Sequence, residues 1–406
     1  MTASIWYVSK YVAPPGLGTV GGRGYLLMKE LARMGHKVTI ITSDSNHLAK
    51  PPLMTMAYFF QEVDGIQLCW VHTMKYAAAK SMRRILSWLH FEWRLLLMPN
   101  HKFLKPDVVV VSSLSILTIL NGLLWKRRYK CRLIFEVRDI WPLTIVEEGG
   151  FKPWNPFVLV LGLVEYVGYK YADAIVGTMP NLGEHVCKIL GYPKATHCIP
   201  MGVDNSTLGS LEELPQNYVE QNFPKNKFIV AHIGSIGITN ALDTFLECAQ
   251  NMKDHDEVHF LIVGDGDLRN GYIEKYKHLD NLTFAPRVSK SMVQLVLTRC
   301  DLLYFSVHVS KVWRYGQSLN KVIDYMMSGK PILASYSGYE SMINEANCGV
   351  YVEAGNVVEL QKQIQFFSHM DKFERDKIGR RGKEWLLTHR QYKKLAVDYE
   401  NILLKQ

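Results

Sequence analysis

The sequence predicts an α/β protein of two Rossmann-like, doubly wound parallel-sheet domains facing a cleft. Three observations predict it. Short β-branched runs alternate with helix-length amphipathic stretches, the pattern of strands joined by crossover helices. That alternation closes at CIPMGVD (198–204) and restarts at FIVAHIGSIG (228–237). Charge divides at the same place: residues 1–200 hold 23 Lys and Arg against 13 Asp and Glu, while residues 201–406 hold 24 against 25. The chain of 406 residues is long for one domain and ordinary for two. The boundaries are set at 1–203 and 204–389, with a C-terminal helix over about 390–406 packing back on the first domain through Leu395, Tyr399, Ile402 and Leu403.

In the first half, SIWYVS (4–9) is a buried strand rather than a signal peptide. A Gly/Pro-rich loop follows, then YLLMKELARMGHKVTIIT as helix, turn and second strand. Gly21, Gly22 and Gly24 stand before that helix, where small residues let backbone approach a ligand. Their spacing is GGxG, so the GxGxxG dinucleotide fingerprint is absent. IQLCWVH (66–72) is a further strand. Residues 80–105 are helical in pattern, with Trp88, Phe91 and Trp93 interleaved with Arg83, Arg84, Arg94, Lys102 and Lys105. Such a stretch either packs on the sheet with its basic residues outward or lays one end in a membrane interface. Val108 to Trp125 is an uncharged run of 18 residues, at the lower edge for a membrane span. Its four valines followed by Ser112, Ser113 and Ser115 suit a strand ending at a helix cap, so a span is rejected. RLIFEVRDIW (132–141) is a strand ending in Glu136, Arg138 and Asp139, at the strand end where open parallel sheets bind ligands. A strand at 171–178 and a helix at 181–190 complete this half.

The second half repeats strand and glycine turn at FIVAHIGSIG and VHFLIVGDGDL (258–268), with a further strand, helix and strand to residue 307 and a helix at 338–346. Between them, Trp313 to Ser335 reads as loop, helix, Gly329 stop, Pro331 and strand. Ser318 or Asn320 can cap that helix, and Lys321 lies in its first turn. Free N–H groups, the positive end of the helix dipole and a cation converge there, which suits a phosphate. Asp324, one turn on, is placed to accept hydrogen bonds from hydroxyls.

Composition narrows the classes. Hydrophobic content of 48% with 21% charged residues excludes a disordered chain. Seven Cys without a CxxC pair support neither zinc nor a disulfide framework, and point to a reducing cytosol. The net charge of +9, all of it in the first half, implies an anionic partner. No nucleic-acid motif is present, so lipid or a phosphorylated substrate is preferred.

Taken together, PPGLGTVGGRGYLLMKELARMGHKVTIIT, FEVRDIWP (135–142), ADAIVGTMPNLGEHV, IPMGVD (199–204), IGSIG (233–237), VGDGDL (263–268) and GQSLNKVIDYMMSGKPIL resemble the retaining, nucleotide-sugar-dependent glycosyltransferases of family 4, which have the GT-B fold. The closer likeness is to the branch that builds bacterial surface polysaccharide, including N-acetylfucosamine-type transferases. The resemblance implies that the first domain holds the acceptor, with the Gly21–Gly22 loop over the reaction centre. It implies that Gly234, Ser235 and Gly237 approach the donor diphosphate, that Gly264 and Gly266 shape the nucleotide pocket, and that Arg287 flanks the base. Ser318, Leu319, Asn320 and Lys321 would meet the diphosphate or sugar, and Asp324 the ribose. Gly22, Arg138, Asp139 and Lys321 would form the reaction centre.

Three departures stand out. The Glu-x7-Glu motif is reduced to Gly316 and Asp324. Arg138 stands where the family often has His, and arginine does not deprotonate. Thr239 and Asn240 stand where many members place cations for the diphosphate, leaving Lys321 and Arg287 to compensate. The resemblance implies retaining transfer of an N-acetylated deoxy-aminosugar from a nucleoside-diphosphate donor, UDP-linked. The acceptor would be a polyprenyl-diphosphate-linked saccharide at the inner face of the cytoplasmic membrane, in O-antigen or capsule synthesis. No metal or other cofactor is expected. The rival readings are a GT-B-fold nucleotide-sugar 2-epimerase and a degenerate, non-catalytic sugar-nucleotide-binding partner.

Overall fold

The computed structural model describes residues 2–17, 22–46, 49–76, 82–204 and 213–405. The chain forms two compact units, one of Met1–Gly202 with Tyr392–Gln406 and one of Val203–Gln391.

The first unit carries strands β1 (Ser4–Val8), β2 (Lys37–Ser43), β3 (Tyr58–Val63), β4 (Ile66–Val71), β5 (Val108–Ser112), β6 (Arg132–Val137), β7 (Ala174–Gly177) and β8 (Thr196–Cys198). They form one sheet in the order β3-β4-β2-β1-β5-β6-β7-β8, parallel except for β3 against β4. β1 and β5 are buried along their whole length, as strands covered on both faces must be, and so read as unbroken apolar runs. The uncharged run from Val108 divides into β5, a tight turn at Ser113–Ser115 and the helix Thr118–Tyr129. No helix among the described residues is long and apolar enough to cross a membrane. The hairpin β3–β4 turns at Asp64 and Gly65, both at positive φ, the Asp-Gly signature of a two-residue hairpin turn. Sequence reading passed over β3 and that signal.

Trp88 and Phe91 of the helix Met82–Leu96 are buried, whereas Trp93 is 59% exposed. The helix therefore packs one face on the sheet and leaves an aromatic on the other. Gly24 is the glycine that packing demands: a Cβ there would stand 2.4 Å from the Tyr7 hydroxyl. A Cβ on Gly22 would meet nothing within 4 Å.

Glu136, read as a candidate for substrate contact, is instead fully buried in an ion pair. Arg23 Nη1 lies 2.7 Å from its Oε2, and both side chains are wholly enclosed. The Tyr7 and Tyr399 hydroxyls donate to the same carboxylate at 2.8 and 3.1 Å. Arg23 also donates from Nε and Nη2 to the Ile199 carbonyl and from Nε to the Pro200 carbonyl. The C-terminal helix Tyr392–Leu404 is thereby tied to the helix Arg23–Arg33 and to β6, and its Leu395, Tyr399 and Leu403 complete that core.

The second unit carries β9 (Phe228–Ile233), β10 (Val258–Val263), β11 (Leu282–Ala285), β12 (Leu302–Ser306), β13 (Ile332–Ser335) and β14 (Gly349–Val352). All are parallel, in the order β11-β10-β9-β12-β13-β14. Residues 338–346, predicted as a helix, run irregularly to Ser341 and then as turns from Met342, which has a φ of 50° that no right-handed helix accommodates.

Removing one partner of a buried ion pair leaves an uncompensated charge. Arg23→Ala should therefore cost the first unit about 3–5 kcal/mol in urea unfolding. Burial alone would raise the Glu136 carboxyl, but Arg23, Arg138 and the hydrogen bonds hold it below the usual carboxylate range. Its stabilisation is thus present above the ordinary Glu range and is lost as pH falls through the depressed value. A wild-type acid limb steeper than that of Arg23→Ala in pH-dependent melting checks the sign.

Candidate active site

The second unit builds its site at the carboxyl ends of its parallel strands. The ladder between β9 and β10 runs on beyond both strands: Gly234 N–H donates to the Val263 carbonyl and Ile236 N–H to the Asp265 carbonyl, both at 2.9 Å. The two glycine turns are so close that a Cβ on Gly264 would stand 1.8 Å from the Gly234 carbonyl oxygen. One on Gly266 would stand 2.3 Å from that of Ile236. These glycines hold turn against turn, and in doing so open a cavity of about 350 Å³ lined by Gly234, Ser235, Gly264, Asp265, Arg287 and Lys290. Gly237 starts the short turn Ile238–Asn240, and a side chain there would meet nothing within 4 Å.

The helix after β12 runs from Asn320 to Ser328 and ends at Gly329 with a φ of 71°. Its N-cap position is Leu319, in extended backbone, with no side chain capping it. Neither Ser318 nor Asn320 acts as the predicted cap. Ser318 Oγ is buried without a partner, as is Gln317 Nε2. An uncapped N-terminus keeps its orphan N–H groups available to an anion. Lys321 Nζ is hydrogen-bonded to Asn240 Oδ1, so the residue standing where relatives of this type carry a cation orients the lysine instead. Burial lowers the Lys321 ammonium to about 8. Asp324, predicted to meet a ribose, is ion-paired with Lys290. Lys290 lines the cavity and was missed by sequence reading, because it lies in a different loop with no motif around it. Arg287 is exposed at the cavity.

Gly21 falls outside the described residues. Gly22 is the cap position of the helix Arg23–Arg33, its carbonyl accepting from Leu26 N–H. The N–H groups of Arg138 and Asp139 both donate to Ser113 Oγ, at 2.9 and 3.2 Å, which fixes the strand end. Arg138 Nη2 lies 3.9 Å from Met201 Sδ. Burial raises the Asp139 carboxyl, against the pull of Arg138 and Arg84. Arg84 stacks over Tyr11 and Trp88, and Trp88 Nε1 donates to the Tyr11 hydroxyl at 2.8 Å. Lys10 was also missed. It is fully buried, bonded among the described residues to the hydroxyls of Ser43, Thr73 and Ser87, and burial lowers it to about 7. Nothing in the local sequence marks it, since a lysine one turn beyond a strand is ordinarily a solvated one. Gly22, Arg138 and Asp139 thus belong to the first unit and Lys321 to the second.

Two family models match the chain: "Glycosyltransferase Family 4" over residues 24–207 and "Glycosyl transferases group 1" over residues 227–368. The chain is a family 4 glycosyltransferase. Its fold is that of known GT-B enzymes. A sucrose-phosphate synthase from Thermosynechococcus elongatus superposes with a TM-score of 0.71 at 15% identity, covering 98% of each chain. Alr3699/HepE from Anabaena, solved in complex with UDP-glucose, has a TM-score of 0.66 at 12% identity over 100% of both chains. WaaG, a glycosyltransferase involved in lipopolysaccharide biosynthesis, has a TM-score of 0.65 at 14% identity, covering 99% of this chain and 100% of that one. A search of curated proteins finds no match.

Three outcomes follow for this glycosyltransferase. Lys321→Ala should weaken nucleoside-diphosphate binding roughly tenfold or more, because one charge-assisted contact is lost. In the wild type the affinity should also fall as pH rises through about 8, where Lys321 loses its proton, and calorimetry at pH 7 and 9 should show that fall reduced in Lys321→Ala. Gly264→Ala should lower the melting temperature of the second unit, since its Cβ cannot be placed without parting the two turns.

Proposed function

We propose that the protein is a retaining glycosyltransferase that moves a sugar, of the N-acetylated deoxy-aminosugar type, from a UDP-linked donor to a polyprenyl-diphosphate-linked saccharide in O-antigen or capsule synthesis. One observation carries the donor half of this reading. An uncapped helix N-terminus with a partly dehydrated Lys321 stands beside a cavity whose walls include Gly234, Ser235 and Arg287. Backbone N–H groups and two cations neutralise a leaving diphosphate without a metal, and their worth is greatest in a site that excludes water. The leaving phosphate then takes the acceptor proton as the acceptor oxygen attacks the anomeric carbon from the same face. The bond from the anomeric carbon to the phosphate oxygen breaks and configuration is kept. Metal independence is part of the proposal. UDP is favoured because the similar HepE structure holds UDP-glucose.

The acceptor half rests on the surface of the first unit. Leu89, Trp93 and Leu96 of the helix Met82–Leu96, Leu120 and Leu124 of the helix Thr118–Tyr129, and Leu159 and Leu163 of the helix Pro156–Tyr171 are exposed. The first helix packs on the second and the second on the third. Arg83, Arg127 and Arg128 on the first two of these helices are exposed as well, so the helices carry both apolar and basic groups, as binding to an anionic bilayer requires. The nucleic-acid alternative has neither a motif nor a use for exposed leucine.

The test is transfer. The protein is incubated with UDP, GDP, dTDP and ADP sugars and a lipid-linked saccharide, with and without chelator. A product heavier by one sugar, formed with retained anomeric configuration and unaffected by chelator, supports the reading. Isomerised donor of unchanged mass without acceptor would show an epimerase, and donor binding without turnover a non-catalytic partner. For the acceptor surface, Trp93→Glu with Leu163→Glu should abolish flotation with phosphatidylglycerol vesicles while leaving the melting temperature unchanged. Equal flotation of variant and wild type would sink the membrane assignment.

A further inference from the structure

We propose that His232 is a further ligand of the donor diphosphate, donating from Nε2 to a phosphate oxygen in the space above Gly234, next to Lys321. The inference rests on the donor-site reading above and adds to it a residue that no motif marks.

His232 is the next-to-last residue of β9 and is fully buried. Both of its ring nitrogens lack a hydrogen bond of normal geometry. Buried polar groups are almost always paired, so an enclosed imidazole whose only partners are poorly aligned backbone groups of Ser235 and Tyr304 has room for a better-aligned partner that arrives from outside the chain. The direction is given by Gly234. The position its Cβ would take lies 3.4 Å from His232 Nε2 and 3.8 Å from Lys321 Nζ. Unlike Gly264, Gly234 could carry a Cβ at ordinary contact distance, and its backbone is not at positive φ. The fold alone does not require glycine here. What glycine leaves is a vacant place bounded by an imidazole nitrogen and an ammonium, at the first turn beyond β9 and on the wall of the donor cavity.

The chemistry of that place suits a phosphate oxygen. Lys321 supplies charge, and His232 supplies a directed N–H. Burial, reinforced by Lys321, pushes the imidazole down to about 3, and smaller favourable contacts with the backbone of Ser235 and Tyr304 do not offset it. The ring is therefore neutral at working pH, with one nitrogen carrying the hydrogen. A neutral donor adds a hydrogen bond without adding a second buried cation beside Lys321, whose repulsion would cost more than the bond returns. It also accounts for a site that holds Thr239 and Asn240 in place of cations: Asn240 orients Lys321, and His232 provides the second contact from below.

The experiment compares His232→Phe, His232→Gln and Gly234→Ala with wild type by calorimetry, using UDP and uridine as probes, alongside melting temperatures without ligand. His232→Phe keeps the volume and removes the donor, so UDP should bind roughly ten- to a hundredfold more weakly while uridine is unchanged. His232→Gln keeps an N–H and should bind UDP more tightly than the Phe variant. Gly234→Ala fills the vacant place at ordinary contact distances, so it should fold normally and lose UDP but not uridine. Wild-type affinity for UDP in both His232→Phe and Gly234→Ala would overturn the inference and leave transfer intact. Equal loss of UDP and uridine in these variants would also overturn it, because the damage would then be to the pocket as a whole. A wild-type protein that binds none of UDP, GDP, dTDP or ADP would overturn the donor-site reading and this inference with it.

Discussion

The enclosed pair of Arg23 and Glu136 holds the first unit together across its sequence. Arg23 opens the helix after the glycine-rich loop, and Glu136 lies near the end of β6. The same carboxylate accepts hydroxyls from Tyr7 of β1 and Tyr399 of the last helix. The same guanidinium holds the carbonyls of Ile199 and Pro200, where the chain leaves the unit. Five distant segments thus meet at one dry charge pair. A pair of this kind is an expensive device for stability, because both ions are taken out of water. Its effect is positional: the start of the helix Arg23–Arg33, the strand end bearing Arg138 and Asp139, and the exit of the chain cannot move independently. Gly24, pressed on the Tyr7 ring, belongs to the same constraint.

The second unit relies on backbone rather than charge. Two glycine turns continue the pairing of β9 and β10 past the strands, at a separation that excludes any Cβ on Gly264 or Gly266. This places Gly234 and Ser235 in the cavity wall and sets the helix Asn320–Ser328 with its bare N-terminus beside them. Cations then do different work from one another. Lys321 is half-buried, oriented by Asn240 and lowered towards 8. Lys290 is half-exposed and engaged with Asp324. The Lys290 pair holds the Asp324 carboxylate in place.

Much of this was legible in the residues. The alternation of strands and helices, the restart near residue 228, the buried valines of β5 and the helix stopped at Gly329 all follow from period and turn chemistry, whereas the cap expected at Ser318 or Asn320 does not form. Gly234, Ser235, Gly264 and Arg287 were singled out by the family resemblance, and they line one cavity. Other features were not legible. The Asp64–Gly65 turn carried the hairpin signal, yet β3 has no buried face to reinforce it. The stretch 338–346 has helical composition, but Tyr339 is tied by its N–H to Trp313 and Met342 takes a left-handed conformation, so tertiary contact overrides propensity.

By itself the sequence determined two parallel-sheet domains, because these depend on local periodicity, and its motifs, read in order along the chain, carried the resemblance to a family. Tertiary structure alone decided which charges are structural and which are free to act. Glu136 and Asp139 lie three residues apart in one strand-end motif, yet the first is locked by Arg23 and the second is raised by burial. Lys10 and His232 look unremarkable in the sequence and are wholly enclosed in the fold. The physical reason is that ionisation and hydrogen-bond state depend on what surrounds a group in three dimensions, and those surroundings come from residues tens to hundreds of positions away.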